Sequence, residues 1–487
     1  MAIKHNASKN IKRILQFVLI NVLLFWLISS CTVESDLYVN RFENEEVVSA
    51  VSDFDVTLNQ PDRFPPGTEL RILQWNHFVP LYDEWFDKFA AEWGEQNGVI
   101  VTVDRFDFDE IENALEQELM QGEGHTMVEL LFPPSAWIED LHDLTDLNEE
   151  AIRLLGDQKD TCRASSYLPT IDSYYAFCHG YAPDPGNYLI EEWSKIGYPY
   201  GPSKWDHLLA GGREIINQTG KPIGIGISEE IDSEMVIRSI IWSYGGAIQD
   251  RNENVTLNSP ETVEAVKFIE TLFNRSMNSM VLDWKPSSNN AGLINGELSF
   301  IINSLSAYRS LQKVNPERAK NIGFTRPLGG PAGEYATAHV WMIYVVPRYV
   351  EEVELAAAKA FMLHLAANYG QAVYNSELYN FPAWPSTTPQ LYANDGWLMN
   401  DPFEEGNSGK LSVLASADDW YVNLGYPGYA NPAVSQVFDE KIISQMVARV
   451  VNGEMTAEES VELADQRVRE IFEIWRDKGL VGGLDQR

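Results

Sequence analysis

Cysteine is scarce: only Cys31, Cys162 and Cys178 occur in 487 residues, too few for a disulfide scaffold. Positive charge is short as well. Against 71 Asp and Glu stand 36 Lys and Arg, a formal net charge of −35. No cationic stripe is available to displace counterions from a phosphate backbone, so nucleic acid is excluded as a partner. The common catalytic signatures are missing too: there is no Gly-x-Ser-x-Gly, no His-Glu-x-x-His and no phosphate-binding glycine loop. Asp104, Asp107, Asp109 and Glu110 lack the spaced Gly and terminal Glu of a calcium loop, and read as a solvated strand end plus a helix cap. No metal, no cofactor and no internal repeat is indicated. What is present is ordinary globular chemistry, 45% hydrophobic and 22% charged, in a chain long enough for two or three domains.

The amino terminus is an address. Lys4, Lys9, Lys12 and Arg13 precede an apolar stretch over 14–28, broken only by Gln16 and Asn21, and then Ser29-Ser30-Cys31. Basic, apolar and small residues in that order make an export signal, and the apolar stretch is short for a membrane span. The Cys31 context resembles a bacterial lipobox, which implies cleavage before Cys31 and a diacyl anchor on its thiol. Two acyl chains suffice for stable attachment. The plain alternative is an uncleaved amino-terminal anchor. Either way the body lies outside the cytoplasm, where an acidic surface keeps a protein soluble and unassociated; a monomer is expected. Residues 1–30 form the signal, and 31–67, acidic and ending in Pro65-Pro66-Gly67, the tether.

Beyond the tether, apolar runs of strand length alternate with helical stripes. Residues 70–75, 99–103 and 127–132 read as strands. Tyr82, Trp85, Phe86, Phe89 and Trp93 share one helical face, and Asp109-x-x-Glu112 signals another helix start. Further helices are expected over 235–244, from Ser259-Pro260, over 351–367 and from Thr456-x-x-Glu459, with strands at 322–324 and 340–346. The alternation predicts an α/β fold with mostly parallel sheets flanked by helices, its ligands gathering beyond the carboxyl ends of the strands.

Four segments, in order, resemble the extracellular solute-binding proteins of carbohydrate ABC transporters, the maltose-binding-protein-like class. They are Ile241-Trp242-Ser243-Tyr244-Gly245-Gly246 with Asn258-Ser259-Pro260-Glu261; Asn295-Gly296-Glu297-Leu298-Ser299-Phe300; Phe381-Pro382-Ala383-Trp384-Pro385-Ser386, with Trp where the family usually has Arg; and Asn423-Leu424-Gly425-Tyr426-Pro427-Gly428. The resemblance implies a two-lobed clamp joined by a multi-strand hinge, closing on a solute and signalling closure to permease subunits. It sets lobe one at 68–181 and 321–373, and lobe two at 182–320 and 374–487.

Sugars present hydroxyls for hydrogen bonds and flat C–H faces for aromatic rings. Candidate ligand contacts are therefore aromatic and polar residues at strand ends and turns: Trp75, Asn76, His77, Ser135, Trp137, Trp242, Tyr244, Asn303, Tyr308, His339, Trp341, Trp384 and Tyr426. Glu129 reads either as an acceptor for paired sugar hydroxyls or as a satisfied buried carboxylate. Outside the cytoplasm Cys162 and Cys178 favour a disulfide, worth about 3 kcal/mol by loop closure. A metal site at Cys162, Cys178 and His179 lacks ligand spacing and a fourth ligand. The expectation is a non-catalytic receptor for a mono- or oligosaccharide. A secreted carbohydrate-active enzyme working through two carboxylates, and a sensor or adhesion lipoprotein on the same fold, stand as alternatives.

Overall fold

The computed structural model describes residues 64–134, 137–406 and 408–482. The address, Cys31, nearly all of the tether, and Ser135 lie outside them. Among the described residues no helix is long and apolar enough to cross a membrane.

Two sheets organise the chain. The larger holds β1 (Glu69–Trp75), β2 (Ile100–Phe106), β3 (Met127–Leu130), β6 (Phe177–Ala182), β12 (Val340–Val345) and β13 (Phe381–Pro382), in the order β13-β6-β12-β3-β1-β2. Strands β1, β2 and β3 are mutually parallel, whereas β12 runs antiparallel to both β3 and β6. The smaller sheet, order β10-β7-β9-β8, holds β7 (Gly186–Leu189), β8 (Ile223–Gly224), β9 (Phe300–Ile302) and β10 (Ile322–Thr325). Two short pairs complete the set: β4 (Tyr167–Leu168) with β5 (Ser173–Tyr174), and β11 (Ala336–Thr337) with β14 (Tyr421–Val422). Each sheet with its helices is one lobe of a clamp.

The helices form where stripe and cap agree. Helix Pro80–Asn97 starts on Pro at its first turn, buries Tyr82, Phe86, Phe89 and Trp93, and stops at Gly98 (φ 70°). Helix Ala457–Asp477 carries the expected capping box, Thr456 with Glu459, and buries Val461, Ala464, Val468, Ile471 and Trp475. Ser259 caps helix Pro260–Ser276 through Thr262 N–H at 3.1 Å. The Asp109 signal is not realised in that form. The helix begins at Ile111 after Glu110, without a side-chain cap.

Three crossings join the lobes. The first, through Pro183-Asp184-Pro185, is the immediate passage from β6 to β7. The expected boundary returns the chain to lobe one at 321, but β10 pairs antiparallel with β7 and so belongs to the smaller sheet. The return therefore falls between Thr325 and Val340. Likewise β13 pairs with β6, so the chain leaves the larger sheet only after Pro382, not near 374. The carboxyl-terminal helices then pack on helices Ile231–Tyr244 and Pro260–Ser276 of the second lobe. Cys162 and Cys178 are buried thiols with no disulfide between them, contrary to expectation. The Cys178 sulfur turns instead toward the Gly180 carbonyl at 3.4 Å.

Candidate ligand site at the lobe crossings

The three parallel strands of the larger sheet each release an aromatic residue at their carboxyl ends: Phe78 after β1, Phe108 after β2 and Phe132 after β3. Phe78 is 43% exposed. Its ring lies edge-on to Trp75 (5.0 Å), Phe108 (6.1 Å) and Tyr379 (6.1 Å). Beneath it, His77 stacks on Tyr82 at 4.4 Å and meets Tyr379 at 5.2 Å. His77 Nδ1 accepts the Val79 N–H at 2.9 Å, so Nε2 carries the proton and donates to Asn380 Oδ1 at 3.0 Å. Burial pushes its pKa down to about 4, only partly opposed by the Asn380 and Val79 bonds; the ring is a neutral prop at physiological pH.

Tyr379 also meets His339, at 6.4 Å, and this joins the aromatic platform to a polar cluster at the crossings. His339 Nδ1 stands 3.3 Å from Asp184 Oδ1, and the His339 N–H donates to the Ala182 carbonyl at 2.8 Å. Asp184 takes the Tyr421 hydroxyl against its own N–H. From the second lobe comes Asp232, in the first turn of helix Ile231–Tyr244, accepting from Asn289 Nδ2 at 2.6 Å. Glu230 caps that helix, accepting from the N–H groups of Asp232 (2.7 Å) and Ser233 (2.6 Å). Asn303 holds Ser306 Oγ at 3.3 Å, and its carbonyl accepts from Asn187.

Electrostatically the cluster is acidic. Asp184, Glu230, Asp232 and His339 are each under 8% exposed. Burial and then Glu230 raise the Asp232 pKa well above the usual carboxylate range, with His339 opposing. Burial also raises Glu230, against the bonds from Ser233 and Asp232. For His339 burial works downward, but the hydrogen bond and charge of Asp184 outweigh it and the net shift is upward. Carboxylates, amides and an imidazole beside an exposed aromatic face can bind hydroxyls and a flat apolar surface together. Among the described residues no group of three or more His, Cys, Asp and Glu side chains is arranged to hold a metal ion.

Of the sequence-derived candidates, the crossings gather Asn303 and His339, while Trp75 and His77 support the platform. Asn76 is exposed on its rim, its amide donating to Asp107 at 2.8 Å. Trp137 is half-buried, after the undescribed Ser135. The others sit elsewhere. Glu129 is buried inside the first lobe among Tyr82, Tyr344 and Tyr369, one oxygen 3.0 Å from His179 and the other without a hydrogen bond; it is a core carboxylate that is only half satisfied. Trp341 is fully buried and donates to Thr161 at 3.0 Å. Trp384 stacks on Phe177 at 5.2 Å. Tyr308 lies edge-on to Phe324 at 5.3 Å, beneath Lys410. Trp242 meets Tyr426, which meets Tyr335, and Tyr244 packs on Phe268. Trp242 is ten residues along the helix from Asp232, about 15 Å at helical rise.

Phe78, Phe108, Asp184, Asp232, Asn289 and Tyr379 join the candidates on the structure alone. Asp184 had a signal, a carboxylate between two prolines in the predicted crossing, and so did Phe78, an aromatic just past a strand's polar end. Asn289 had none. A surface hollow of about 490 Å³ between residues 155–160 and Pro385-Ser386 carries no comparable set of aromatic and carboxylate groups; the crossings are the better site on chemistry.

A two-lobed α/β clamp with polar side chains converging where its lobes join is the architecture of a solute-binding protein. The chain belongs to the bacterial extracellular solute-binding proteins, whose family model matches residues 80–372; this is a family of binding proteins of the extracytoplasmic space. Similar solved structures include maltose-bound MalE3 of T. maritima, at 17% identity and TM-score 0.68, covering 83% of this chain and 100% of that one. A ribitol complex of an ABC transporter solute-binding protein from Agrobacterium radiobacter K84 matches at 16% identity and TM-score 0.64, covering 84% and 99%. A cyclic alpha-maltosyl-1,6-maltose binding protein from Arthrobacter globiformis matches at 15% and 0.64, covering 83% and 99%. No curated protein sequence matches the chain.

Proposed function

We propose that this chain is the lipid-anchored receptor of an ABC importer, capturing a mono- or oligosaccharide between its lobes without catalysis and presenting it to the permease subunits. The observation that carries the ligand class is the continuity of Phe78, Phe108 and Tyr379 with His339, Asp184, Asp232 and Asn289. One half suits the C–H face of a sugar ring and the other its hydroxyls. The ligands named for the similar structures, maltose and ribitol, are polyhydroxylated and support the same class. Residues proposed to touch ligand are Asn76, Phe78, Phe108, Asp184, Asp232, Asn289, Asn303, His339 and Tyr379. Cys31 is proposed as the lipidated residue, following from the basic, apolar and small-residue order before it.

Thermal unfolding across a library of sugars, polyols, peptides and polyamines tests the class. A ligand at about a hundred times its Kd adds roughly 2.7 kcal/mol to stability. Stabilisation by sugars or polyols is expected; stabilisation by peptides or polyamines alone overturns the assignment.

A further inference from the structure

Arg238 stands in the middle of helix Ile231–Tyr244 and is 1% exposed. One side of its guanidinium is committed. Nη1 donates to the Glu234 carbonyl at 3.1 Å and to the Glu234 carboxylate. Glu234 is itself fully buried, and its other oxygen accepts the Ser444 N–H at 2.7 Å. The opposite edge, Nε and Nη2, makes no hydrogen bond. The guanidinium carbon lies 5.2 Å from the centre of the Phe438 ring, and Phe438 packs at 4.7 Å against Phe132 of the other lobe. The idle edge therefore sits beside the contact that the two lobes make with one another.

Burying two donors of a charged group without acceptors is costly, and an apolar side chain would pack here at less expense. Two hydroxyls in the neighbourhood share the condition. Ser435 lies one turn before Phe438 on its helix, and Thr337 donates its N–H to Ser239, next to Arg238; both hydroxyls are buried without partners. The Nε–Nη2 edge of an arginine is a planar fork spaced for two neighbouring oxygens.

We propose that Arg238 is a specificity-determining residue whose Nε–Nη2 edge takes two adjacent hydroxyl oxygens of a neutral sugar. This rests on the carbohydrate reading above. Charge decides against the other group with paired oxygens, a carboxylate. Glu234 already balances Arg238, and Asp232 lies six residues back on the same helix, about 9 Å away at helical rise, with Glu230 and Asp184 around it. An anionic sugar would bring a further carboxylate among buried carboxyl groups that already disfavour one another's ionised form.

The test is isothermal titration of the full-length chain in detergent. Neutral probes are a panel of monosaccharides, disaccharides and polyols that includes glucose, galactose, maltose and ribitol; glucuronate and galacturonate are the anionic probes. Arg238→Lys keeps a cation for Glu234 but removes the fork. It is expected to weaken the tightest neutral probe about tenfold or more while the ligand-free unfolding temperature stays close to wild type. Should that variant fold poorly, Glu234→Met with Arg238→Met removes the pair without orphaning a charge, and the same loss is expected. Unchanged affinity in a folded variant overturns the role of Arg238. Preference for a uronate over its neutral parent, abolished by Arg238→Lys, overturns the neutral ligand while leaving the carbohydrate reading intact. No binding to any probe overturns both.

Discussion

Replacing Phe78 by Ala separates ligand recognition from folding, because nearly half of the ring is exposed. A fully buried Phe contributes about 1.5–3 kcal/mol by burial. At 43% exposure, with neighbours at 5.0–6.1 Å on Trp75, Phe108 and Tyr379, roughly half of that is at stake, about 1–1.5 kcal/mol. The outward face is what a sugar ring would cover. Stacking on it is worth about 0.5–1.5 kcal/mol, so truncation should weaken binding between about twofold and tenfold. Urea unfolding of the ligand-free protein gives the first quantity and isothermal titration with the tightest sugar gives the second. Aromatic replacement, Phe78→Tyr, should restore affinity. Ligand affinity unchanged by Phe78→Ala, in a protein destabilised by 2 kcal/mol or more, would show that Phe78 is merely core and that the platform is misplaced.

Other outcomes are equally concrete. Arg309 and Asp401 form a buried two-point ion pair at 2.8 and 3.1 Å; Asp401→Asn leaves the cation uncompensated and should cost about 3–5 kcal/mol in urea unfolding, and a loss under 1 kcal/mol would refute that burden. His125 lies between Glu118 and Asp104. Burial disfavours its charged form, but the Glu118 and Asp104 interactions outweigh it and raise the pKa above 6.5. Its contribution is therefore complete below the unfolded-state pKa and fades as pH rises through the folded one; the stability gap between wild type and His125→Gln should shrink from about pH 5 to pH 9, and a constant gap speaks against the linkage. Cells given labelled fatty acid should tag the wild-type chain and not Cys31→Ser; equal labelling would remove Cys31 as the lipid site.

The sequence shows most clearly those features whose cause is local. Helix Ala457–Asp477 announces itself by Thr456, Glu459 and a 3.6-residue stripe, all within one stretch, and helix Pro80–Asn97 does the same. Ile322–Thr325 is legible as a strand for the same reason. Its sheet is not, because four apolar residues carry no record of which partner strand they meet; only pairing with β7 decides it. The cysteines fail similarly: a favourable compartment says nothing about where the Cys178 sulfur points.

The proposed ligand site is harder still, since it depends on exposure and convergence. Tryptophan composition and turn position made Trp384 and Trp341 attractive, yet a large ring near a turn is most easily stabilised by packing, and Phe177 and Thr161 hold these two. Phe78 differs from Trp75 by three positions and by facing outward from the end of β1. Asp184 and Asp232 are 48 residues apart and meet only because the first crossing runs past the amino end of helix Ile231–Tyr244. His339 is a candidate by its place just before a strand, and the structure sets that strand start at a lobe crossing. The same rule, applied to every charged residue in a crossing rather than to aromatics, selects Asp184 as well. In a clamp the segments shared by both lobes are the better place to look for polar ligand contacts, because side chains there reach the joint from either sheet.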